Sequence, residues 1–105
     1  NPFVTHFDLD ELEFFAPKTK KLTLRVRGVL PGDKLRPFGL DGHKKLKDIF
    51  IDEKTPKSHR RLIPILTAGS GSGNILWVVG IRRSDFAKVT SATKRVLKIQ
   101  FRDLK

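Results

Sequence analysis

The sequence predicts an α+β domain whose strands pair mostly antiparallel. The first observation is its length, because 105 residues fit one domain with one sizeable core. The second is the order of periodic segments, in which a strand pattern, a helical pattern and strands joined by hairpins follow one another. The third is a 38% content of hydrophobic residues, including eight Phe, which excludes wholesale disorder. We therefore predict a single domain over residues 1–105.

An alternating run begins the predicted sheet. From Leu22 to Arg27, apolar residues alternate with Thr and Arg, which is the period of a half-buried strand. The side chains expected to face the core are Leu22, Leu24 and Val26. The stretch from Gly28 to Gly39 contains the pairs Pro31-Gly32 and Arg36-Pro37, so we expect two consecutive turns there.

A helical pattern extends from His43 to Lys54, where apolar residues recur at spacings of three and four. The residues on that face are Leu46, Ile49 and Phe50. We expect the cap at Asp41 or Gly42 and the end of the helix before Pro56, because the residue preceding a proline avoids the helical conformation. A short basic turn or helix is expected from Pro56 to Arg61.

The C-terminal half contains three further strand patterns. Leu62–Leu66 is predicted to be a strand whose internal proline places it at an edge or a bulge. Gly69–Gly73 is predicted to be a flexible hairpin tip. Ile75–Val79 is continuously apolar, which predicts a strand covered on both faces. The alternating run Leu97–Arg102 is expected to close the sheet.

The chain is strongly basic, and its charge is unevenly distributed. With 22 Lys and Arg against 11 Asp and Glu, it has a net charge of +11 and binds polyanions at least non-specifically. Residues 1–17 contain four of the acidic residues and no Lys or Arg. We expect residues 1–19 to be an acidic lead-in, either an edge strand with a turn or the seam to a preceding region, and residues 20–105 to be the basic body.

Several kinds of site are excluded. The absence of cysteine excludes disulfides, thiol nucleophiles and cysteine-ligated zinc, and we expect a cytoplasmic protein. Apolar runs of at most about five residues predict no membrane span. A membrane surface is a competing polyanion for a basic chain, but no predicted basic helix carries a wide exposed apolar face, so we expect no membrane partner. The three histidines lack the spacing of a helical metal pair, and the loop at Gly69–Gly73 lacks the Lys-Ser/Thr pair of a phosphate-binding loop. We assign no catalytic residue and no metal ligand.

Clusters of basic residues are the informative feature. Three lysines of the segment His43–Lys47 fall at the predicted helix start, where each opposes the helix dipole by roughly 0.3–1 kcal/mol. We interpret them as phosphate contacts, with a solvated charged face as the alternative. Several such clusters favour a surface that follows a nucleic-acid backbone. The candidate contacts are His43, Lys44, Lys45, Lys47, Arg60, Arg61, Arg82, Arg83, Lys88, Lys94 and Arg95.

Little in the sequence indicates base stacking. Trp77 and Phe50 fall at predicted core positions, and Phe38, in a predicted turn, is the best candidate for an exposed aromatic residue. We therefore favour duplex RNA, recognised through its shape and its phosphates, over single-strand readout.

A series of segments spread over roughly residues 20–102 forms a multi-part pattern. The segments are Gly32–Gly39, Lys44–Asp48, Phe50–Asp52, Pro56, Arg61, Ile75–Gly80, Lys88–Thr90 and Thr93. In this order they resemble the C-terminal domain of tRNA(Ile)-lysidine synthetase. Several motifs in a fixed order are far more specific than one short match.

The resemblance implies a small three-layer domain with a β-sandwich-like core, similar to a region of the phenylalanyl-tRNA synthetase beta subunit. In the full synthetase, an N-terminal domain uses ATP to adenylate the wobble cytidine of an isoleucine tRNA, and lysine displaces AMP. Magnesium is expected in that domain. Its Ser-Gly-Gly-x-Asp-Ser loop has no match in this sequence. We therefore expect the chain to be catalytically silent alone, without a cofactor and without the ATP-binding domain.

The resemblance also implies the partners. In the family the C-terminal domain binds the tRNA acceptor stem, so the expected partners are isoleucine tRNA and the N-terminal catalytic domain. The turn Gly32–Gly39 would present Lys34 and Arg36 to the RNA. Lys34 stands where the family pattern often has arginine, which keeps the charge but loses bidentate geometry.

Two other classes of function stay open. A protein-interaction or interdomain docking module would use the basic face to bind an acidic partner. An independent enzyme acting on nucleotides would need a nucleophile or a metal site, which the sequence does not offer, so we rank it last.

Overall fold

The computed structural model describes residues 1–16, 18, 21–36, 42–69 and 73–102. In this part of the chain all strands pair antiparallel, in one four-stranded and two two-stranded sheets. The strands are β1 (Val4–Asp8), β2 (Leu24–Arg27), β3 (Lys34–Leu35), β4 (Lys44–Lys45), β5 (Ile65–Ala68), β6 (Asn74–Val78), β7 (Arg82–Arg83) and β8 (Val96–Gln100). The helices are α1 (Leu9–Leu12), α2 (Leu46–Asp52) and α3 (Lys57–Arg60), with a 3-10 turn at Glu13–Phe15. The predicted α+β class is confirmed.

Some predicted features lie outside the described residues. They are the cap at Asp41, the second turn and its aromatic residue at Pro37, Phe38 and Gly39, and the centre of the hairpin tip at Ser70, Gly71 and Ser72. None of the described helices is long and apolar enough to cross a membrane.

The four-stranded sheet, ordered β2-β5-β6-β7, is buried on both faces. One core lies between it and the β1–β8 pair, and includes Phe7, Leu12, Leu66, Leu76 and Trp77. The second core lies under α2 and the β3–β4 pair, and includes Leu35, Leu46, Ile49, Phe50, Ile65 and Val78. Because β6 supplies residues to both cores, the prediction of a strand covered on both faces is confirmed.

The acidic N-terminal segment is an integral part of the fold. β1 pairs with β8 from Val4↔Gln100 to Asp8↔Val96, and Phe7 is fully buried. Of the two alternatives for this segment, the structure shows the strand followed by a helical turn. The prediction that the last strand closes the main sheet is wrong, because β8 forms a separate two-stranded sheet with β1. Alternation identifies a strand but not its partner, which here lies at the other end of the chain.

Strand β5 begins at Ile65, not at Leu62 as predicted. It is a central strand between β2 and β6, and its register shifts between Leu66 and Thr67. Pro64 lies just before the strand, where its carbonyl accepts a hydrogen bond from Val79 N–H at 3.1 Å. The proline therefore marks the start of a central strand, so the edge alternative is wrong, whereas the register shift shows that the strand does contain an irregularity, two residues after the proline. The predicted hairpin is confirmed by the antiparallel β5–β6 pair.

Helix α2 begins at Leu46, three residues later than predicted. Lys44 and Lys45 are extended and pair with β3, so the prediction that they lie in the first helical turn is wrong. Lys45 holds the N-cap position, but its side chain forms no capping hydrogen bond. Instead, the N–H of Leu46 donates to the Asp33 carbonyl at 3.0 Å. Pairing of β3 with β4, rather than a capping side chain, sets where the helix begins.

The predicted apolar face of α2 is confirmed, and so is its end before Pro56. The buried residues are Leu46, Ile49 and Phe50. Beyond Asp52, the N–H of Thr55 bonds to the Phe50 carbonyl at 2.8 Å, which closes the helix in the manner of a Schellman motif. Helix α3 then starts after Pro56, as expected for the short basic segment.

Strand β2 departs from the prediction at its C-terminal end. Leu22 and Leu24 pack against the first core, but Val26 is 56% exposed, so the prediction that it faces the core is wrong. β2 is an edge strand, and the apolar layer that covers Leu24 does not reach Val26. Arg27 is partly buried instead, since its guanidinium donates two hydrogen bonds to the Asp33 carboxylate at 2.8 and 3.0 Å.

Asp33 connects three segments. Pro31 and Gly32 (φ +83°) form the centre of a turn closed by Asp33 N–H to the Leu30 carbonyl at 3.2 Å, a type II pattern that confirms the first predicted turn. The Asp33 carboxylate accepts the Leu30 N–H at 2.8 Å in addition to the Arg27 guanidinium. Together with its carbonyl bond to α2, this residue holds β2, the turn and the helix start together.

We predict that Asp33→Ala lowers the free energy of unfolding by about 2–3 kcal/mol, because it leaves the Arg27 guanidinium partly buried without its partner and opens the turn. Urea unfolding measures the loss. Asp48→Ala, at an exposed position in the first turn of α2, is the control and is expected to cost about 0.5 kcal/mol. Equal losses in the two variants would contradict the role given to Asp33.

Candidate nucleic-acid interface

A groove of about 610 Å³ lies between the turn at Leu30–Asp33, the start of α2 and helix α3. We call it the basic groove. Its cations are Lys45, Lys47, Lys57, Arg60 and Arg61. Its apolar lining comes from Val29, Leu30, Pro31, Leu46 and Phe50. The site therefore combines positive charge with an apolar floor.

Short elements place the five cations. Lys45 ends β4 and Lys47 lies in the first turn of α2, so the strand-to-helix transition presents both lysines. Helix α3 and its C-cap place Lys57, Arg60 and Arg61 at spacings of three and four, which is one helical face. Local structure thus gathers charges that are up to 16 positions apart in the sequence.

Arg60 is oriented by two contacts. Its Nε donates to the Thr55 carbonyl at 3.1 Å, and its guanidinium lies 5.6 Å from the centre of the Phe50 ring. A cation over an aromatic face is attracted by the ring quadrupole. These two contacts hold the Arg60 guanidinium beside the Phe50 ring at the groove.

The electrostatic balance of the groove is strongly positive. Asp33 is the carboxylate among its lining residues, and it is already paired with Arg27. Within the described part of the chain, no carboxylate pairs with Lys45, Lys47, Lys57 or Arg61. These four side chains can bind an external anion without breaking an ion pair.

The structure brings together only part of the predicted set. Lys45, Lys47, Arg60 and Arg61 meet in the basic groove. Lys57 was not predicted, although its spacing of three and four from Arg60 and Arg61 was visible in the sequence. Lys34, Arg36 and His43 line a separate depression of about 460 Å³.

Other predicted cations bind carboxylates of the domain itself. Lys44 pairs with Asp52, and Arg82 pairs with Glu53, so the C-terminal end of α2 neutralises two of them. Arg36 lies 3.3 Å from Asp85. Lys88 lines a shallow depression beside Arg36 and Asp85, and Lys94 is exposed in the segment before β8. None of these residues lines the basic groove.

Arg95 binds the acidic N-terminal segment. Hydrogen bonds to Asp10 and then to Glu13, together with the two negative charges, raise the pKa of Arg95 above its ordinary value. The contact to Asp10 from Nε measures 2.7 Å. Asp10 and Glu13 of the acidic lead-in therefore pair with Arg95, next to β8, and do not cover the basic groove.

Arg83 has an internal role. Its guanidinium donates to the carbonyls of Ser84 and Phe86, both at 2.9 Å, and to the Thr5 hydroxyl at 3.1 Å. It also lies 4.1 Å from the centre of the Phe7 ring. Burial lowers the pKa of Arg83 to about 10, and it stays protonated at neutral pH. These contacts tie β7 to β1.

Aromatic side chains show one feature that the sequence did not indicate. Trp77 and Phe50 are buried, as predicted. Phe14, by contrast, is 77% exposed and packs its edge against Phe15 and Phe86, with ring centres 5.5 and 6.1 Å away. The acidic residues Asp10, Glu11 and Glu13 lie in the same short helical segment. We call this the acidic aromatic patch.

The described residues hold no group of three or more His, Asp or Glu side chains placed to bind a metal ion.

Comparisons with known proteins converge on one family. Residues 22–101 match the family described as "TilS substrate C-terminal domain". The chain is 45% identical over 77 residues to the tRNA(Ile)-lysidine synthase of Geobacter sulfurreducens, covering 73% of the chain and 16% of that protein. It is 40% identical over 100 residues to the Clostridium acetobutylicum enzyme of the same name, covering 95% and 19%. The chain thus spans less than a fifth of the length of these relatives.

A solved structure agrees with these matches. The crystal structure of a TilS C-terminal domain superimposes with a TM-score of 0.65 and 29% sequence identity, covering 97% of this chain and 73% of that one. The likeness extends to the N-terminal segment, beyond the residues that the family description matches.

We predict that Arg83→Lys lowers the free energy of unfolding by about 2–4 kcal/mol, since lysine cannot reproduce the planar set of donors that Arg83 uses. Arg82→Lys, which alters one surface ion pair, is expected to cost less than about 0.5 kcal/mol. Urea unfolding compares the two. A stable Arg83→Lys variant with lost RNA affinity would show that Arg83 contacts RNA instead.

Proposed function

Because this chain belongs to the TilS substrate C-terminal domain family, we propose that it serves as the C-terminal domain of a tRNA(Ile)-lysidine synthase and that its basic groove binds the tRNA substrate of that enzyme. The supporting observation is the convergence of five cations on one groove whose carboxylate is already paired. Cations that only keep a protein in solution do not need to lie in one groove. A cluster of cations, by contrast, matches the closely spaced phosphates of a nucleic acid.

We assign the acceptor stem of isoleucine tRNA to this groove. The wobble cytidine lies far from that stem, so a domain that holds the stem orients the tRNA without touching the reacting base. Phosphate contacts supply position rather than sequence information. In this proposal ATP, lysine and magnesium act in the catalytic domain, in the cytoplasm, and the C-terminal domain binds no cofactor.

The cations proposed to contact the tRNA differ in their position relative to the groove and in their existing ion pairs. The primary contacts are Lys45, Lys47, Lys57, Arg60 and Arg61. The flanking contacts are Lys34, Arg36, His43, Lys88 and Lys94. The cations Lys44, Arg82 and Arg95, together with Arg36 among the flanking contacts, would have to exchange a carboxylate for a phosphate. We leave Arg83 out of the contact set, because its donors serve the fold.

The acidic aromatic patch favours a second, additional function. Phe14 is exposed beside Glu11, while Asp10 and Glu13 pair with Arg95. An exposed aromatic side chain in an acidic segment suits a protein surface with apolar and basic side chains. We propose that this patch contacts the rest of the synthase. Interdomain docking would then use the acidic aromatic patch. The docking alternative drawn from the sequence used the basic face instead.

We predict that the combined change Lys45→Ala, Lys47→Ala and Lys57→Ala weakens binding to isoleucine tRNA at least about tenfold. It should also reduce the slope of log affinity against log salt by about three, since each lost phosphate contact removes roughly one from that slope. Fluorescence anisotropy at several salt concentrations measures both quantities.

Lys98→Ala is the matched control, because Lys98 is an exposed lysine of β8 outside the groove. It is expected to change the affinity less than twofold. An isolated acceptor-stem hairpin should retain the difference between triple variant and control, while an anticodon hairpin should not. An unchanged salt slope in the triple variant would overturn the proposal.

We predict that Phe14→Ser leaves the tRNA affinity of the domain unchanged but weakens its binding to the remainder of the synthase at least about fivefold, because a central exposed aromatic is a common anchor of protein interfaces. Isothermal titration calorimetry with the two parts measures this. Leu62→Ser, at a position that is 71% exposed outside the patch, is the control. Equal effects of the two substitutions would remove the patch from the interface.

A further inference from the structure

The apolar lining of the basic groove is not needed to bind a duplex backbone. A duplex presents phosphates and sugars on its outside and keeps its bases stacked within. Leu30, which lines the groove at the turn, is 45% exposed, and Pro31 beside it is also exposed. These two residues offer an apolar surface directly among five cations. Such a combination suits a ligand that carries both an apolar ring and a phosphate.

The size of the groove agrees with such a ligand. A volume of about 610 Å³ lies within the range of sites that enclose a small molecule, roughly 300–1,000 Å³. It accommodates one or two nucleotides, whereas a double helix can only lie across its opening. The groove is therefore the right size for unpaired residues next to a duplex.

Arg60 adds a stacking surface. Its guanidinium is held by Thr55 and by the ring of Phe50, and the described part of the chain supplies it with no ion pair. Guanidinium planes and apolar side chains both stack on nucleobases without selecting among them. Lys47, Lys57 and Arg61 lie on the same groove and can neutralise the adjoining phosphates.

We propose that the basic groove holds an unpaired nucleotide at the end of an RNA duplex, with the base against Leu30, Pro31 and Arg60 and its phosphates against Lys47, Lys57 and Arg61. The inference rests on the proposed function and deepens it. The duplex of an acceptor stem continues into unpaired 3′ nucleotides. An unpaired nucleotide therefore lies next to the duplex whose phosphates the cations of the groove would contact. It replaces the expectation that the domain recognises duplex alone.

The test uses the whole 105-residue chain and three acceptor-stem hairpins of equal duplex length. One has a blunt end, one has a four-nucleotide 3′ overhang, and one has an overhang of abasic nucleotides that keeps the phosphates. We expect the intact overhang to raise the affinity about tenfold over the blunt hairpin, as stacking of one or two bases would. The abasic overhang should recover less than about threefold.

Leu30→Ser supplies a second arm of the test. It should remove most of the overhang advantage, taken as the ratio of the affinities for the overhang and blunt hairpins, whereas Leu62→Ser should leave that ratio unchanged. Thermal unfolding checks that the variants fold, and the abasic comparison needs no variant at all. Equal binding of all three hairpins would overturn this inference and leave the proposed function intact. Failure of all three to bind would overturn both.

Discussion

The paired contact of Asp33 with Arg27 is the interaction on which the groove depends. One carboxylate receives the Arg27 guanidinium at the end of β2 and the N–H of Leu30 in the turn, and the carbonyl of the same residue receives the first N–H of α2. The turn forms the groove's apolar edge, and the helix start carries Lys47. Since Asp33 is bound to a cation, its own negative charge does not oppose a phosphate. A single acidic residue thus shapes a basic surface.

Internal pairing then decides which cations face outward. The acids at the C-terminal end of α2 hold Lys44 and Arg82, and the acidic N-terminal segment holds Arg95. Surface ion pairs of this kind contribute little stability. Their effect is to localise the remaining positive charge. A net charge of +11 would otherwise be spread over the domain and attract polyanions in many orientations.

Apolar periodicity predicted the parts of the fold that depend on local sequence. The inner face of α2 follows from the spacing of its apolar residues, the buried strand β6 from an uninterrupted apolar run, and the first turn from its Pro-Gly pair. Features that depend on distant partners did not follow. The pairing of β8 with β1, the burial of Arg83 against Phe7 and the exposure of Val26 are set by residues far away in sequence. Four cations of the groove were predicted, but Lys45 was placed in the first turn of a helix, whereas a strand presents it.

The groove and the second core share Phe50, and this links stability to binding. Phe50 is 1% exposed, packs with Ile49 and Val78, and supports Arg60 from below. The apolar lining of the groove also lowers the local dielectric constant, so each of its cations attracts a phosphate more strongly than it would in open water. A substitution of Phe50 would therefore disturb both the folding of the domain and the electrostatic properties of the groove. Exposed lining residues such as Lys57 and Leu30 can be substituted without disturbing the core. RNA preference can therefore be adjusted at these exposed positions.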